Sequence, residues 1–343
     1  MMNEEGQRMD HTQVIVKKRK ESIFVLLSLA VIFCLCGCAK QERKQDSKEN
    51  QIKIAAAIFP AYDWTWNILG KNPAGAELTL LVDNGVDLHS FQPSVDDILK
   101  ISNADLFIYV GGESDQWVTD ALKQAKNPNI RILSMLEAIG EKAKMEETVE
   151  GMQADEDEEE EAPDEHVWLS LRNAAVITDA ITTELSALDP ENAKIYEANA
   201  AAYKEKLSAL DEEYQKAIEN TAQKTLLFGD RFPFRYMVED YGLRYYAAFP
   251  GCSAETEASF ETISFLAQKC SELSLPAVLT IDGSDGKIAE TIVKNTDSGN
   301  QQILKLDSMQ SVTAADIRDG ASYLSLMENN LSVLKQALGE ETN

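Results

Sequence analysis

Two histidines, His89 and His166, are the residues of this chain best suited by type and setting to do chemistry. The 343-residue sequence holds three histidines, and the third, His11, falls in an N-terminal stretch that reads as a leader. Imidazole is the commonest side-chain ligand for transition metals and the usual proton shuttle near neutral pH. His89 lies in Gly85-Val86-Asp87-Leu88-His89-Ser90-Phe91-Gln92-Pro93-Ser94, and His166 in Pro163-Asp164-Glu165-His166-Val167-Trp168-Leu169-Ser170. Either one alone reads equally well as a hydrogen-bonded structural histidine. Together, in an acidic chain with no other histidine in its body, they favour a shared site. No cysteine lies in these motifs, so a soft thiolate site is not expected.

The elements that must position them follow from apolar runs alternating with amphipathic segments. Ile52–Ile58, Glu77–Val82, Leu106–Val110 and Ile130–Leu133 read as buried strands, with helical patterns at Tyr62–Leu69, Val95–Ser102 and Trp117–Ala125. The pattern recurs at Thr225–Phe228, Tyr245–Phe249, Ala277–Ile281 and Ile303–Leu306. Such alternation implies an α/β fold of two lobes, each a mostly parallel four-stranded sheet flanked by helices. His89 follows the second strand directly, and open α/β sheets place ligands at the C-terminal ends of their strands. A long linking helix is expected from Asp189-Pro190-Glu191, read as N-cap, first-turn proline and early acid, to about Asn220. Ile195, Tyr196, Tyr203, Leu207, Leu210, Tyr214 and Ile218 keep its apolar stripe. Trp64, Trp66, Phe91 and Trp168 read as packing rather than a ligand cage.

The N-terminus shows basic Lys17-Lys18-Arg19-Lys20, an apolar run from Ile23 to Leu35, and then Cys36-Gly37-Cys38. This is the pattern of a secretory signal, with an apolar run too short for an ordinary membrane span. Its ending resembles a bacterial lipobox, with Cys38 as the lipidated residue anchoring the protein to the cell membrane from outside. Cys252 and Cys270 remain in the body, and they could pair because export permits a disulfide, though spacing alone does not establish the geometry. With 32 basic against 58 acidic residues, the chain repels nucleic acid and favours cations. The run of seven acids from Asp155 to Glu161 reads as solvated and mobile.

On these readings the chain divides into a signal peptide (1–37), a lipid-anchored tether (38–51) and an N-terminal metal-binding lobe (52–170) whose acidic loop, 146–165, is disordered. A helical segment (171–222) and a C-terminal lobe (223–343) follow, the latter metal-binding by family resemblance.

From Ile52 onward the sequence resembles the solute-binding lipoproteins of bacterial ABC importers for zinc and manganese. Phe59-Pro60-Ala61-Tyr62-Asp63 is similar to that family's opening strand-to-helix segment. The loop around His89 resembles its first ligand loop, the segment from Asn103 to Tyr109 its next strand, Glu165-His166-Val167-Trp168-Leu169-Ser170 its second ligand motif, and Asp189-Pro190-Glu191-Asn192 the start of its linking helix. The resemblance implies a metal clamped between two lobes by two histidines, then a histidine or glutamate, then an acid. His89 and His166 match the first two positions and Asp307 the fourth, while Arg231 stands at the third. A guanidinium stays protonated and cannot donate to a metal.

Three explanations stand for that departure. Asp230 turns inward instead, the site has three protein ligands plus water, or Glu255, Glu257 or Asp282 reaches in. With Asp230, the set His89, His166, Asp230 and Asp307 is a mixed nitrogen and oxygen site suited to zinc, manganese or ferrous iron. The implied function is capture of a divalent metal by a monomeric lipoprotein that delivers it to a cognate ABC permease, without catalysis. A surface adhesin of the same fold, a secreted metallohydrolase, and a binder of an anionic solute through the arginine are the competing readings. The chain lacks His-Glu-x-x-His and Gly-x-Ser-x-Gly, which weighs against the hydrolase.

Overall fold

The computed structural model describes residues 51–153, 162–253 and 257–340. The signal peptide, Cys38, the tether as far as residue 50, the acidic run Asp155–Glu161 and Glu255 lie outside the described residues. From Ile52 onward the chain forms one compact unit.

Strands β1 (Lys53–Ala56), β2 (Glu77–Leu80), β3 (Leu106–Tyr109) and β4 (Arg131–Ser134) form the first sheet in the order β2-β1-β3-β4. Strands β5 (Thr225–Phe232), β6 (Arg244–Pro250), β7 (Ala277–Ile281) and β8 (Gln302–Leu306) form the second in the order β6-β5-β7-β8. Every pairing is parallel. The two sheets therefore share one topology, and β6 in the second is the counterpart of β2 in the first. The central strands β3 and β7 are apolar almost throughout and buried, as helices on both faces of a parallel sheet require.

The first apolar run divides earlier than its composition suggests. β1 stops at Ala56, and helix α1 (Phe59–Leu69) opens with proline in its first turn. Helix α2 (Val95–Ser102) begins at a capping box of Ser94 and Asp97, which satisfies two otherwise orphaned N–H groups. The remaining helices are α3 (Trp117–Leu122), α4 (Met135–Ile139), α5 (Leu171–Leu188), α6 (Ala193–Asn220), α7 (Arg235–Tyr241), α8 (Phe260–Glu272), α9 (Lys287–Lys294), α10 (Ala314–Arg318) and α11 (Tyr323–Ala337). Among the described residues, no helix is long and apolar enough to cross a membrane.

Helix α6 joins the two halves. Its 28 residues span about 42 Å, and it begins at Ala193 rather than at Pro190. Asp189 is not its N-cap: the carboxylate instead accepts hydrogen bonds from Asn192 and from the Tyr196 hydroxyl, and Asp189 closes α5. The buried stripe is Tyr196, Ala200, Tyr203, Leu207, Leu210, Tyr214 and Ile218, with Ile195 exposed. Tyr203 donates to Asp63 of α1 at 3.2 Å, and Tyr214 donates to the Met327 carbonyl of α11 at 2.6 Å. One continuous apolar core accordingly contains Ile54 and Phe107 of the first sheet together with Phe228 and Leu306 of the second.

The flanks of the acidic run are ordered where a disordered loop from 146 to 165 was expected. Met145 bridges Pro163, Glu146 donates to the Ala162 carbonyl, and Gln153 donates to that of Ala248. Asp164 and Glu165 are buried rather than solvated, because both carboxylates serve neighbouring backbone and imidazole donors. Trp64, Trp168 and Phe91 are buried packing residues, whereas Trp66 lies largely at the surface. Cys252 and Cys270 are both free thiols.

Candidate metal centre

The C-terminal ends of both sheets face the same region, and the loops leaving them carry the chemistry. The loop after β2 is pinned to the far side of that region: Asn84 bridges Thr313, and Ala314 donates to the Asp83 carbonyl. Asp87 then starts a single 3-10 turn, Leu88–Ser90, by accepting the His89 backbone N–H at 2.9 Å. Leu88 is buried beneath this turn and fixes the orientation of its neighbour. His89 Nδ1 meets the Ser114 hydroxyl, in the loop after β3, at 2.6 Å.

His166 sits at the start of a second single turn, Val167–Leu169, and is fully buried. Its backbone N–H and its Nδ1 both lie 2.9 Å from Asp164 Oδ1. The segment is held from the C-terminal half: Tyr236 donates to the Asp164 carbonyl, Tyr323 to the Trp168 carbonyl, and Trp168 Nε1 to the Ser308 carbonyl. His166 is thus lodged between the two sheets rather than within the first lobe alone.

The two rings point Nε2 at Nε2 across 3.1 Å. In the tautomers that direct each Nδ1–H outward, to Asp164 and to Ser114, both Nε2 lone pairs face the shared space. Outer partners of this kind fix the tautomer and orientation of metal-binding imidazoles. Nitrogen ligands at about 2.0–2.1 Å in a tetrahedron stand about 3.3 Å apart, close to the observed separation. The residues therefore fit a divalent cation. Burial and the neighbouring His166 push His89 down to about 3, with Arg231 adding to the effect and Asp87 opposing it. Burial would lower His166 as well, but Asp164, Glu165 and Glu146 outweigh it and hold the group above its ordinary value. Glu165, raised by burial, accepts from the Ser114 N–H through Oε1, while its buried Oε2 makes no hydrogen bond and lies 3.9 Å from His89 Nδ1. That uncompensated oxygen adds to the field that favours a cation.

A thiol lies beside the pair. Cys252, two residues beyond the end of β6, places its sulfur so that ligand atoms of His89, His166 and Cys252 all lie within 4.8 Å of one another. Neither Asp230 nor Asp307 belongs to this cluster among the described residues. Asp230 accepts the Arg231 N–H at 2.9 Å and the Ile281 N–H at 3.4 Å. Asp307 accepts the Met309 N–H at 2.8 Å and is pushed up to about 6 by burial and by Asp282. Asp282 spends its oxygens on Ser308 and Ser311, and Glu257 is exposed. Arg231 reaches across to Asp87, with Nη2 2.5 Å from Oδ2. A cleft of about 570 Å³ opens beside the cluster, lined by His89, Asp87, Asp230, Arg231, Cys252 and Asp282 among others.

Cys252, Ser114 and Glu165 were not singled out by motif. The one signal for Cys252 is its place two residues past the end of β6, in a loop leaving the C-terminal end of a strand.

A fold of two parallel-sheet lobes with paired imidazoles where their strand ends meet defines a class of metal-binding receptor, and comparison with known proteins agrees. Residues 54–337 match the family of ZnuA, zinc-uptake complex component A, periplasmic. The chain belongs to this family. It is 28% identical over 325 residues to the zinc-binding protein AdcA of Streptococcus pyogenes serotype M3, covering 92% of this chain and 61% of that protein. It is 26% identical over 321 residues to the high-affinity zinc uptake system protein ZnuA of Bacillus subtilis, covering 94% of this chain and 98% of the other. The structure of the Zn(II)-bound ZnuA-like domain of Streptococcus pneumoniae AdcA superimposes with a TM-score of 0.66 at 26% identity, covering 85% of this chain and 100% of that domain. The chain thus spans about 61% of the length of its streptococcal relative.

Proposed function

We propose that this protein is the extracytoplasmic metal-capturing component of an ABC uptake system, taking zinc as its cargo and passing it to a membrane permease. His89 and His166 hold the ion, and Cys38 carries the lipid that keeps the protein at the membrane. The reading rests on one observation above all: two imidazoles with both Nδ1 atoms engaged outward and both Nε2 atoms converging at 3.1 Å. Membership of the zinc-uptake family supports it. Manganese and ferrous iron suit imidazole and carboxylate donors, and zinc is favoured by the names and bound ions of the relatives.

Ligands supplied from both sides of the cleft stabilise the arrangement that brings the lobes together, so an ion shifts that population and marks the loaded protein for its permease. The adhesin reading took its support from Arg231, but that residue pairs with Asp87 and leaves the imidazole pair intact. The test is calorimetric titration of the metal-stripped chain with zinc, manganese and ferrous iron. Tight binding at one site that is lost in His89→Ala and in His166→Ala is expected; affinity unchanged in both variants would sink the reading.

A further inference from the structure

We propose that Cys252 is the third metal ligand, giving the site a thiolate beside its two imidazoles. The inference rests on the reading of His89 and His166 as a metal centre and specifies what completes it. Three donors from three separate segments meet here, the 3-10 turn at Leu88–Ser90, the turn after His166 and the corner after β6, and their ligand atoms lie within 4.8 Å of one another. Bound to one tetrahedral zinc, imidazole nitrogen and thiolate sulfur stand about 3.6 Å apart, which a small inward shift of the Cys252 corner achieves.

The corner is built for that approach. A Cβ on Gly251 would come within 2.9 Å of His166 Cε1, 3.1 Å of His166 Nδ1 and 2.9 Å of the Phe232 carbonyl, so only glycine lets the chain pass against the ring. The Cys252 backbone N–H is tied to Glu146 Oε1 at 2.9 Å, which fixes the residue in place. Topology carries the same message. β6 occupies in the second sheet the position that β2 occupies in the first, so Cys252 and His89 both lie in the segment that leaves the corresponding edge strand of their lobe. Asp230 and Asp307, the carboxylates expected to complete the set, accept backbone N–H groups and lie outside the cluster.

Binding breaks the S–H bond: the sulfur keeps the electron pair and donates it to the metal, and the proton leaves to solvent. A soft thiolate favours zinc over manganese, which prefers oxygen ligands. Chemical selectivity is thereby built into the chain where a mixed imidazole and carboxylate site would be more permissive.

Cobalt(II), which replaces zinc and reports its ligands by colour, is the probe. The metal-stripped full chain titrated with cobalt is expected to show ligand-field bands together with a near-ultraviolet thiolate-to-cobalt charge-transfer band. Cys252→Ser should lose the charge-transfer band, keep weaker ligand-field bands, and lose at least about tenfold in zinc affinity with a smaller loss for manganese. Cys270→Ser, altering a thiol buried in the second lobe's smaller core, should change neither. Ligand-field bands without a charge-transfer band in the unaltered chain, or a charge-transfer band that survives Cys252→Ser, would overturn the thiolate while leaving the histidine site standing. Failure of the unaltered chain to bind cobalt or zinc at all would remove the underlying metal site and this ligand with it.

Discussion

Arg231 of β5 and Asp87 of the His89 loop form an ion pair, 2.5 Å between Nη2 and Oδ2, that ties the second sheet to the loop presenting the first imidazole. Asp87 has two duties, since its other oxygen caps the turn that orients His89. The guanidinium therefore steadies the His89 loop and also adds positive charge beside the proposed cation site, where it already disfavours protonation of His89. Arg231→Ala is expected to tighten zinc binding by about threefold to tenfold at low salt, with the gain shrinking as salt is raised. Competition against a chromophoric chelator at two ionic strengths measures it, and weaker binding in the variant would mean that loop order outweighs charge.

The outer partners of the imidazoles make a second prediction. Asp164→Asn removes the charge that holds His166 Nδ1, and Ser114→Ala removes the acceptor for His89 Nδ1. Each should lower zinc affinity, by about tenfold to a hundredfold for Asp164→Asn and less for Ser114→Ala. Equal affinity in all three proteins would show that neither partner orients its ring.

Asp63 offers a pH test away from the site. Burial pushes it up from 3.8 to about 6 beneath Tyr203. A carboxyl whose folded-state value is raised contributes most below its unfolded value, and that contribution is lost as pH rises through about 6. Stability attributable to Asp63 should therefore fall by about 2–3 kcal/mol between pH 4 and pH 7. Asp63→Asn lacks this component, so the difference between variant and parent in urea midpoint should move in the variant's favour as pH rises.

Gly251→Ala tests the close approach at the β6 corner. The added methyl meets His166 and the Phe232 carbonyl at 2.9 Å, so either the ring or the strand end must move. A stability loss of about 1–3 kcal/mol is expected, accompanied by weaker zinc binding. A variant with normal stability and normal affinity would show that the corner yields freely.

Asp230→Asn should leave zinc affinity within about twofold and cost about 1 kcal/mol of stability, because its oxygens serve the Arg231 and Ile281 N–H groups. A large loss of affinity with unchanged stability would restore it to the ligand set.

The eight strands were legible because parallel strands buried on both faces are written as short apolar runs, and all eight appear where those runs lie. The long helix was legible in its stripe but not in its start, since a carboxylate such as Asp189 can cap a helix or bind a tyrosine one turn later, and packing decides. His89 and His166 were legible through scarcity. The far side of the site was not. The register between β5 and β6 shifts between Phe228 and Arg231, and an extra residue in one strand redirects every side chain after it, which residue counting cannot anticipate. Only the position of Cys252 after a strand is legible, not its proximity to His166, which arises because two separate chain segments fold against each other around Gly251.

The tyrosine-studded helix α6 has a mechanical consequence. Anchored to α1 through Tyr203 and to α11 through Tyr214, with one apolar core running past it, it resists the wide hinge opening that a slender linker would allow. If the chain carries an ion as proposed, unloading it becomes a matter of local latches, the short turn at Leu88–Ser90 and the corner at Gly251-Cys252, rather than of swinging whole lobes. Under the proposed capture role, release would need only those two points to yield, on the face of the molecule where the strand ends converge.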